Sequence, residues 1–173
     1  VPVGEKTADL LIEKLIPRVE NLKIGPSTSP DADFGPLVTK EHLQRVKDYV
    51  ALGVQEGAKL LVDGRNFKLQ GYENGFYMGG CLFDEVTPNM RIYKEEIFGP
   101  VLSVVRAKTY EEALRLPSEH EYGNGVAIFT RDGDTARDFA SKVNVGMVGI
   151  NVPIPVPLAY YTFGGWKRPR SVI

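Results

Sequence analysis

Cysteine and histidine, the residues that build disulfides and many metal sites, are scarce in this sequence. Its 173 residues include one cysteine, Cys81, and two histidines, His42 and His120. A single cysteine excludes an intrachain disulfide framework and a cysteine-based metal cluster. The pair His120-Glu121 begins like a zinc-protease motif, but Asn124 stands where the second histidine is required. The sequence therefore predicts no metal site.

An excess of charge of one sign is also absent. The 21 lysines and arginines nearly balance 22 aspartates and glutamates, which leaves a formal charge of −1. Nucleic-acid-binding domains usually carry a strong basic excess. The basic residues near the C-terminal end are too few to provide much phosphate affinity: Lys167, Arg168 and Arg170. We therefore expect no nucleic-acid partner.

No apolar run is regular enough for a membrane helix. The longest weakly polar stretch, residues 145–161, carries prolines at positions 153, 155 and 157, which break the backbone hydrogen bonds that a bilayer demands. The chain begins Val1-Pro2-Val3, without an initiator methionine and without the basic and apolar regions of a signal peptide. We expect no membrane partner, a location in the cytoplasm (or in the mitochondrial matrix of a eukaryote), and excision from a longer chain.

Four helices are predicted from apolar spacing and from capping residues. The first covers residues 1–24, where leucine and valine recur at intervals of three and four. The other three begin at N-cap residues: Thr39, Thr109 in a capping box with Glu112, and Asp132 or Asp134. The helix after Thr109 is expected to end at Pro117. The predicted buried faces of the second and fourth helices include Leu43, Val46, Val50, Ala136, Phe139, Ala140 and Val143.

Short apolar runs between these helices predict strands, at residues 59–62, 76–78, 81–86, 101–105, 126–130 and 146–150. The succession of strand, capped helix and strand is typical of right-handed βαβ units. The sequence therefore predicts an α/β fold with a parallel sheet, in one domain with an irregular insertion. The prolines after the last strand favour an extended connector over a polyproline ligand, because they lack the P-x-x-P register.

The hexapeptide EEIFGP, which starts at Glu95, is the most informative candidate site. Adjacent extended residues point to opposite sides, so Glu95 and Glu96 cannot both address one ligand. Glu96 and Phe98 can share a face, on which the carboxylate accepts hydrogen bonds from ribose hydroxyls and the aromatic supports a flat ring. An exposed acidic turn with Phe98 in the core accounts for the same pattern.

Cys81 is the only candidate thiol nucleophile. It lies in an apolar run with no neighbouring histidine, lysine or arginine to stabilise a thiolate. The pattern favours a small buried side chain over a nucleophile for a new hydrolase activity. No G-x-G-x-x-G follows any predicted strand, so the chain carries no Rossmann dinucleotide fingerprint.

The segment EEIFGPV, residues 95–101, resembles a signature of the aldehyde dehydrogenases. Further short motifs support the resemblance in order along nearly the whole chain: Gly25-Pro26, residues 33–38, residues 56–59, residues 122–125, residues 146–151 and residues 163–167. Within that family, residues 152–157 and 163–167 look most like the CoA-acylating branch that acts on methylmalonate semialdehyde.

The resemblance implies a reaction and a set of binding residues. In that family a cysteine thiolate attacks a small aldehyde, a hydride passes to NAD, and in this branch the acyl group is transferred to CoA. By position, Glu96 matches the glutamate that binds the nicotinamide-side ribose, and Phe98 matches the aromatic beside the nicotinamide. Phe163 matches an aromatic near the substrate pocket. The resemblance also implies assembly into a homo-oligomer.

The resemblance implies as well what the chain does not contain. The nucleophilic cysteine of the family lies just before the segment matched by residues 1–4, so no catalytic residue is expected within the chain. The Rossmann-type cofactor domain also belongs upstream. We expect residues 1–167 to form most of a parallel-sheet catalytic domain and residues 168–173 a divergent tail. Such a fragment is predicted to be inactive by itself. The alternative is a truncated relative that acts as an assembly or interaction module.

Overall fold

A computed structural model describes residues 1–156, 158–160 and 167 of the chain. The chain divides into two compact units, the first of residues 1–107 and the second from residue 108 onward. The predicted boundary between a domain over residues 1–167 and a tail over 168–173 stays a prediction, because the tail lies outside the described residues.

The first unit contains two small sheets and three helices. The strands β2, β3 and β4 form one sheet in that order, with β2 antiparallel and β4 parallel to β3. The strands β1 and β5 form a separate parallel pair. In chain order the elements are β1 (Pro2–Gly4), α1 (Glu5–Glu20), α2 (Lys40–Gln55), β2 (Lys59–Val62), β3 (Cys81–Asp84), α3 (Arg91–Lys94), β4 (Val101–Ser103) and β5 (Val105–Ala107).

The second unit is a βαβ arrangement preceded by a helix. Its elements are α4 (Tyr110–Glu119), β6 (Gly125–Ile128), α5 (Gly133–Lys142) and β7 (Met147–Ile150). The strands β6 and β7 pair in parallel, as predicted for strands joined by a helix. None of the helices in the described parts of the chain is long and apolar enough to cross a bilayer.

Each unit has its own buried core. In the first unit the side chains of Phe83, Leu82 and Val104 are fully buried, together with Val46 and Val50 of α2. In the second unit the core forms around three side chains of α5 and the residues after it: Phe139, Val143 and Val145. The mixed helix and strand content and the parallel strand pairs confirm the coarse α/β prediction, whereas the antiparallel β2 departs from a wholly parallel sheet.

All three predicted N-caps are present. The side-chain oxygens of Thr39 and Thr109 accept hydrogen bonds from the third residue beyond, at 3.1 and 3.2 Å. Of the two candidates for the fourth helix, Asp132 is the cap, since its Oδ1 accepts from the backbone N–H of Thr135 at 2.6 Å. The predicted capping box is modified, because Glu112 accepts from the backbone N–H of Lys108, the residue before the cap, rather than from that of Thr109.

The prediction of one helix over residues 1–24 was wrong at both ends. Residues 2–4 form β1, which pairs with β5 about a hundred residues later, and α1 ends at Glu20. Apolar spacing reports local periodicity and cannot reveal such distant pairing. The strand predicted at residues 76–78 is also absent: Tyr77 and Met78 are buried without joining a ladder.

Two further boundaries and the burial of one residue differ from the sequence-based expectation. The strand predicted over residues 101–105 is divided at Val104 into β4 and β5, which pair with different strands. Helix α4 does not end at Pro117 but continues to Glu119. Ala140 is exposed, because it lies beside the buried stripe of the helix that Ala136, Phe139 and Val143 form.

Candidate functional site

The EEIFGP segment lies between α3 and β4, and Glu95 ties its first residue to two helices. The hydroxyl of Tyr49 on α2 donates to Glu95 Oε2 at 2.5 Å, and Arg91 Nε of α3 donates to Oε1 at 2.6 Å. These contacts, the arginine first and the tyrosine second, lower the pKa of Glu95 to about 2. Glu95 therefore stays ionised and holds the segment in place.

Glu96 differs from its neighbour in both exposure and partners. Its side chain is exposed, and within the described parts of the chain its carboxylate makes no hydrogen bond or ion pair. One carboxylate of the pair is thus engaged in the fold and the other is available to a ligand. This is the division that the alternation of extended residues predicts.

Phe98 combines an exposed ring with an unfavourable backbone conformation. The residue is 71% exposed, so the interpretation of Phe98 as a core side chain was wrong. Its φ is +55°, in the left-handed region that residues with a Cβ rarely occupy. Its carbonyl oxygen accepts a hydrogen bond from Nε2 of His42 at 2.7 Å, and the two rings meet edge to face with centroids 6.4 Å apart.

The residue after Phe98 lies directly against α2. A Cβ at Gly99 would lie 2.7 Å from Cγ1 of Val46, which is fully buried. Only glycine allows this approach of the backbone to the helix. The turn that carries Phe98 is therefore held close to the surface of α2.

A cavity opens beside Phe98. Its volume is about 660 Å³, and it is lined mainly by apolar residues from the end of α1, from residues 34–37 and from residues 98–102. Phe98 and Cys81 both contribute to this lining. The first unit thus places Phe98 beside an apolar cavity.

Cys81 has the properties of a packing residue. It is 1% exposed, and its Sγ accepts a hydrogen bond from the backbone N–H of Gly64 at 3.3 Å. Burial raises the pKa of its thiol. A buried thiol with a raised pKa is a poor nucleophile. The structure thus agrees with the prediction of a small buried side chain.

In the second unit, Asn151 and Lys167 each bond through the side chain to the backbone of an earlier part of the chain. Asn151, at φ +57°, exchanges two hydrogen bonds of 3.0 Å with the backbone of Thr130 and so continues the pairing beyond β7. Lys167 donates from Nζ to the carbonyls of Pro117 and His120 at 3.0 Å, and also to that of Ser118. Lysine at this place satisfies carbonyls that the end of α4 leaves without helical partners.

Glu96 and Phe98 are both exposed, on either side of the buried Ile97, whereas Phe163 lies outside the described residues. Two supporting residues were missed from the sequence, His42 and Tyr49. His42 lies four residues before Val46 and Tyr49 three residues after it, so all three share one face of α2. Two polar residues at this spacing around an apolar one were the sequence pattern that could have indicated their role. Among the described residues, no group of three or more histidine, cysteine, aspartate or glutamate side chains could hold a metal ion.

Comparison with known sequences decides the family. The aldehyde dehydrogenase family profile matches residues 1–170. The chain belongs to the aldehyde dehydrogenase family. This aldehyde dehydrogenase chain is 59% identical over 168 residues to the malonate-semialdehyde dehydrogenase of Pseudomonas aeruginosa, a match that covers 97% of the chain and 34% of the Pseudomonas protein. It is 47% identical over 163 residues to the acylating, mitochondrial methylmalonate-semialdehyde/malonate-semialdehyde dehydrogenase of Bos taurus. This match covers 94% of the chain and 30% of the Bos taurus protein.

Solved structures agree with this assignment. A Sinorhizobium meliloti protein described as a methylmalonate-semialdehyde dehydrogenase, solved with NAD, is 71% identical with a TM-score of 0.93, covering 96% of the chain and 34% of that protein. The methylmalonate-semialdehyde dehydrogenase of Oceanimonas doudoroffii is 53% identical with a TM-score of 0.92, covering 95% and 34%. This aldehyde dehydrogenase chain therefore spans about a third of the length of these relatives.

The exposed residues of the site fit a nucleoside ligand. A carboxylate such as that of Glu96 can accept hydrogen bonds from vicinal hydroxyl groups. An exposed ring such as that of Phe98 offers its face or edge to a flat heterocycle. In this aldehyde dehydrogenase chain the Glu96 carboxylate and the Phe98 ring belong to residues two positions apart. The segment that carries them is held in place by contacts with α2 and α3.

Proposed function

We propose that this chain is part of an NAD-dependent, CoA-acylating dehydrogenase of methylmalonate or malonate semialdehyde. The observation that carries the proposal is the presence, two residues apart, of the exposed Glu96 carboxylate, without a partner among the described residues, and of the exposed ring of Phe98, whose backbone lies in the left-handed region. The names of the relatives from Pseudomonas aeruginosa and Bos taurus support the choice of substrate, and the acylating Bos taurus enzyme supports the use of CoA.

In this proposal, Glu96 and Phe98 bind and orient NAD. Glu96 accepts hydrogen bonds from the hydroxyls of the nicotinamide-side ribose, and the ring of Phe98 supports the nicotinamide. NAD, when bound, supplies the acceptor for the hydride that leaves the aldehyde carbon. Phe163 contributes to the aldehyde pocket. The proposal includes assembly into a homo-oligomer and a location in the cytoplasm, or in the mitochondrial matrix as for the Bos taurus relative.

The same proposal assigns the covalent step to a cysteine outside this chain. Cys81 is buried, and its thiol pKa is raised, so it does not supply the thiolate that attacks the aldehyde. Without an activated nucleophile, covalent catalysis is lost. We therefore expect the chain by itself to form no NADH from an aldehyde.

The test compares the isolated chain with a chimera. In the chimera, this chain replaces the matching third of the Sinorhizobium meliloti relative, with which it shares 71% of its residues. We expect the chimera to form NADH from methylmalonate semialdehyde, NAD and CoA, and the isolated chain to form none.

Two controls make the comparison decisive. Cys81→Ala should leave the activity of the chimera unchanged. NADH formed by the isolated chain and abolished by Cys81→Ala would contradict the proposal. A folded chimera that binds NAD but forms no NADH would instead favour a non-catalytic assembly module.

A further inference from the structure

The EEIFGP segment rests on one face of α2. Three α2 side chains contact it at successive points of the segment: Tyr49 bonds to Glu95, His42 bonds to Phe98, and Val46 packs against Gly99. Residues spaced by three and four lie on one side of a helix. The helix therefore acts as a single support for the whole segment.

Within this support, His42 makes the contact nearest to the strained residue. The φ of Phe98 is unfavourable for a residue with a Cβ, and such a conformation persists only where surrounding contacts hold it. The hydrogen bond from His42 Nε2 to the Phe98 carbonyl, at 2.7 Å, acts on the peptide plane that follows this φ. The edge-to-face contact of the two rings adds a second restraint on Phe98.

The surroundings of His42 favour the tautomer that this bond requires. A carbonyl oxygen only accepts hydrogen bonds, so Nε2 must carry a proton. The other ring nitrogen, Nδ1, lies 3.5 Å from Nη2 of Arg45, which is a donor and therefore favours an unprotonated Nδ1. The backbone N–H of His42 is itself bound by the N-cap Thr39, which fixes the first turn of α2.

We infer that His42 is a positioning residue for the cofactor site: it holds the Phe98 carbonyl and thereby keeps the Phe98 ring turned outward to meet the nicotinamide. This inference rests on the proposed role of Phe98 in binding NAD. His42 acts through Phe98. Loss of His42 frees the peptide between Phe98 and Gly99, so the ring spends less time in the orientation that binds.

The experiment measures the dissociation constant of NAD by calorimetry, without aldehyde, on variants of the chimera defined above. His42→Ala removes the donor and the ring, and His42→Phe keeps a ring but removes the donor. His42→Gln restores an N–H donor at a similar reach. Gln44→Ala is the matched control, since Gln44 is exposed on the same turn of α2 and its side chain donates to Asp48 within the same helix. Phe98→Ala reports separately on the proposed role of Phe98.

We expect His42→Ala and His42→Phe to raise the dissociation constant of NAD about fivefold or more. His42→Gln should lie within about twofold of the unmodified chimera, as should Gln44→Ala. The KM for NAD should follow the dissociation constant while the KM for the aldehyde stays unchanged, a separation that a loss of folded protein would not produce. Should His42→Ala not fold, His42→Phe carries the test.

Two results would overturn the inference. The first would leave the proposed function intact, and the second would also contradict the role of Phe98 in it. If Phe98→Ala weakens NAD binding but His42→Ala and His42→Phe do not, the positioning role is wrong and the proposed function stands. If Phe98→Ala itself leaves NAD binding unchanged, the role of Phe98 in the proposed function is wrong, and the positioning role falls with it.

Discussion

At the scale of single residues, Phe98 is unfavourable in two ways. Its ring is 71% exposed to water, and its backbone lies in a region that costs a residue with a Cβ of the order of 1–3 kcal/mol. Neither property helps the chain to fold. Strain of this kind tends to occur at functional sites, and a ligand that covers the ring would account for its exposure.

This view makes a prediction for the stability of the isolated chain. In Phe98→Gly, relief of about 1–2 kcal/mol of left-handed strain should match or exceed the added backbone entropy of about 0.5–1 kcal/mol. We expect the free energy of unfolding, measured in urea, to stay constant or to rise. Glu85→Gly is the matched control, because Glu85 is exposed and has φ +57°. A clear loss of stability in Phe98→Gly alone would show that the ring stabilises the fold.

Glu95 makes a prediction for the pH dependence of stability. Its pKa in the folded chain is about 2, below its ordinary value of 4.5. Its contacts with Arg91 and Tyr49 therefore stabilise the fold above about pH 4.5 and lose this effect as the pH falls towards 2. We expect Glu95→Gln to make the unfolding free energy less dependent on pH over this range. An identical pH dependence of the unfolding free energy in Glu95→Gln and in the unmodified chain would contradict this role of Glu95.

At the scale of elements, one arginine joins α1, β3 and β5 in the first unit. Arg106 of β5 donates to Asp84 of β3 and to Asp9 of α1, both at 2.7 Å from Nη2. The two carboxylates differ in exposure: the Asp84 side chain is 3% exposed and that of Asp9 is 81% exposed. The same cation thus makes a buried and an exposed ion pair, which allows a direct comparison.

We expect the two pairs to differ in their contribution to stability. Asp84→Asn leaves the guanidinium of Arg106 without its buried partner and should lower the unfolding free energy by about 2–3 kcal/mol, less than for a fully buried pair because Arg106 is partly exposed. Asp9→Asn should cost less than about 1 kcal/mol. Urea unfolding of both variants checks the difference. Equal effects would mean that burial does not decide the strength of this ion pair.

Elements whose signals are local could be predicted from the sequence. The caps at Thr39, Thr109 and Asp132 are hydrogen bonds between residues three apart, so the sequence pattern contains both partners. The strand β1 could not be found, because its pairing depends on β5 about a hundred residues away. The division at Val104 was missed for the same reason.

The candidate site shows the same limit at the scale of the whole molecule. Glu96 and Phe98 could be proposed as binding residues because they lie in one short motif. The support from His42 could not be predicted, since it crosses 56 positions of the chain, and the left-handed backbone of Phe98 has no signature in its residue type. A short motif thus suggests candidate binding residues, whereas the residues that hold them depend on the fold.

The isolated chain also tests how much of the cofactor site it contains. In the proposed function Glu96 and Phe98 meet only the nicotinamide end of NAD, and the sequence has no glycine-rich loop before a helix that would bind the phosphates. We expect calorimetry on the isolated chain to give no dissociation constant for NAD below about millimolar. A micromolar constant would contradict the view that the rest of the cofactor site lies elsewhere.

The most direct test of the central claim is the dissociation constant of NAD for Glu96→Gln in the chimera. This change keeps the size of the side chain and removes the charge that would strengthen the proposed hydrogen bonds to ribose hydroxyls. We expect the constant to rise about tenfold, while Glu13→Gln, at an exposed carboxylate on α1, leaves it unchanged. An unchanged constant for Glu96→Gln would contradict the account.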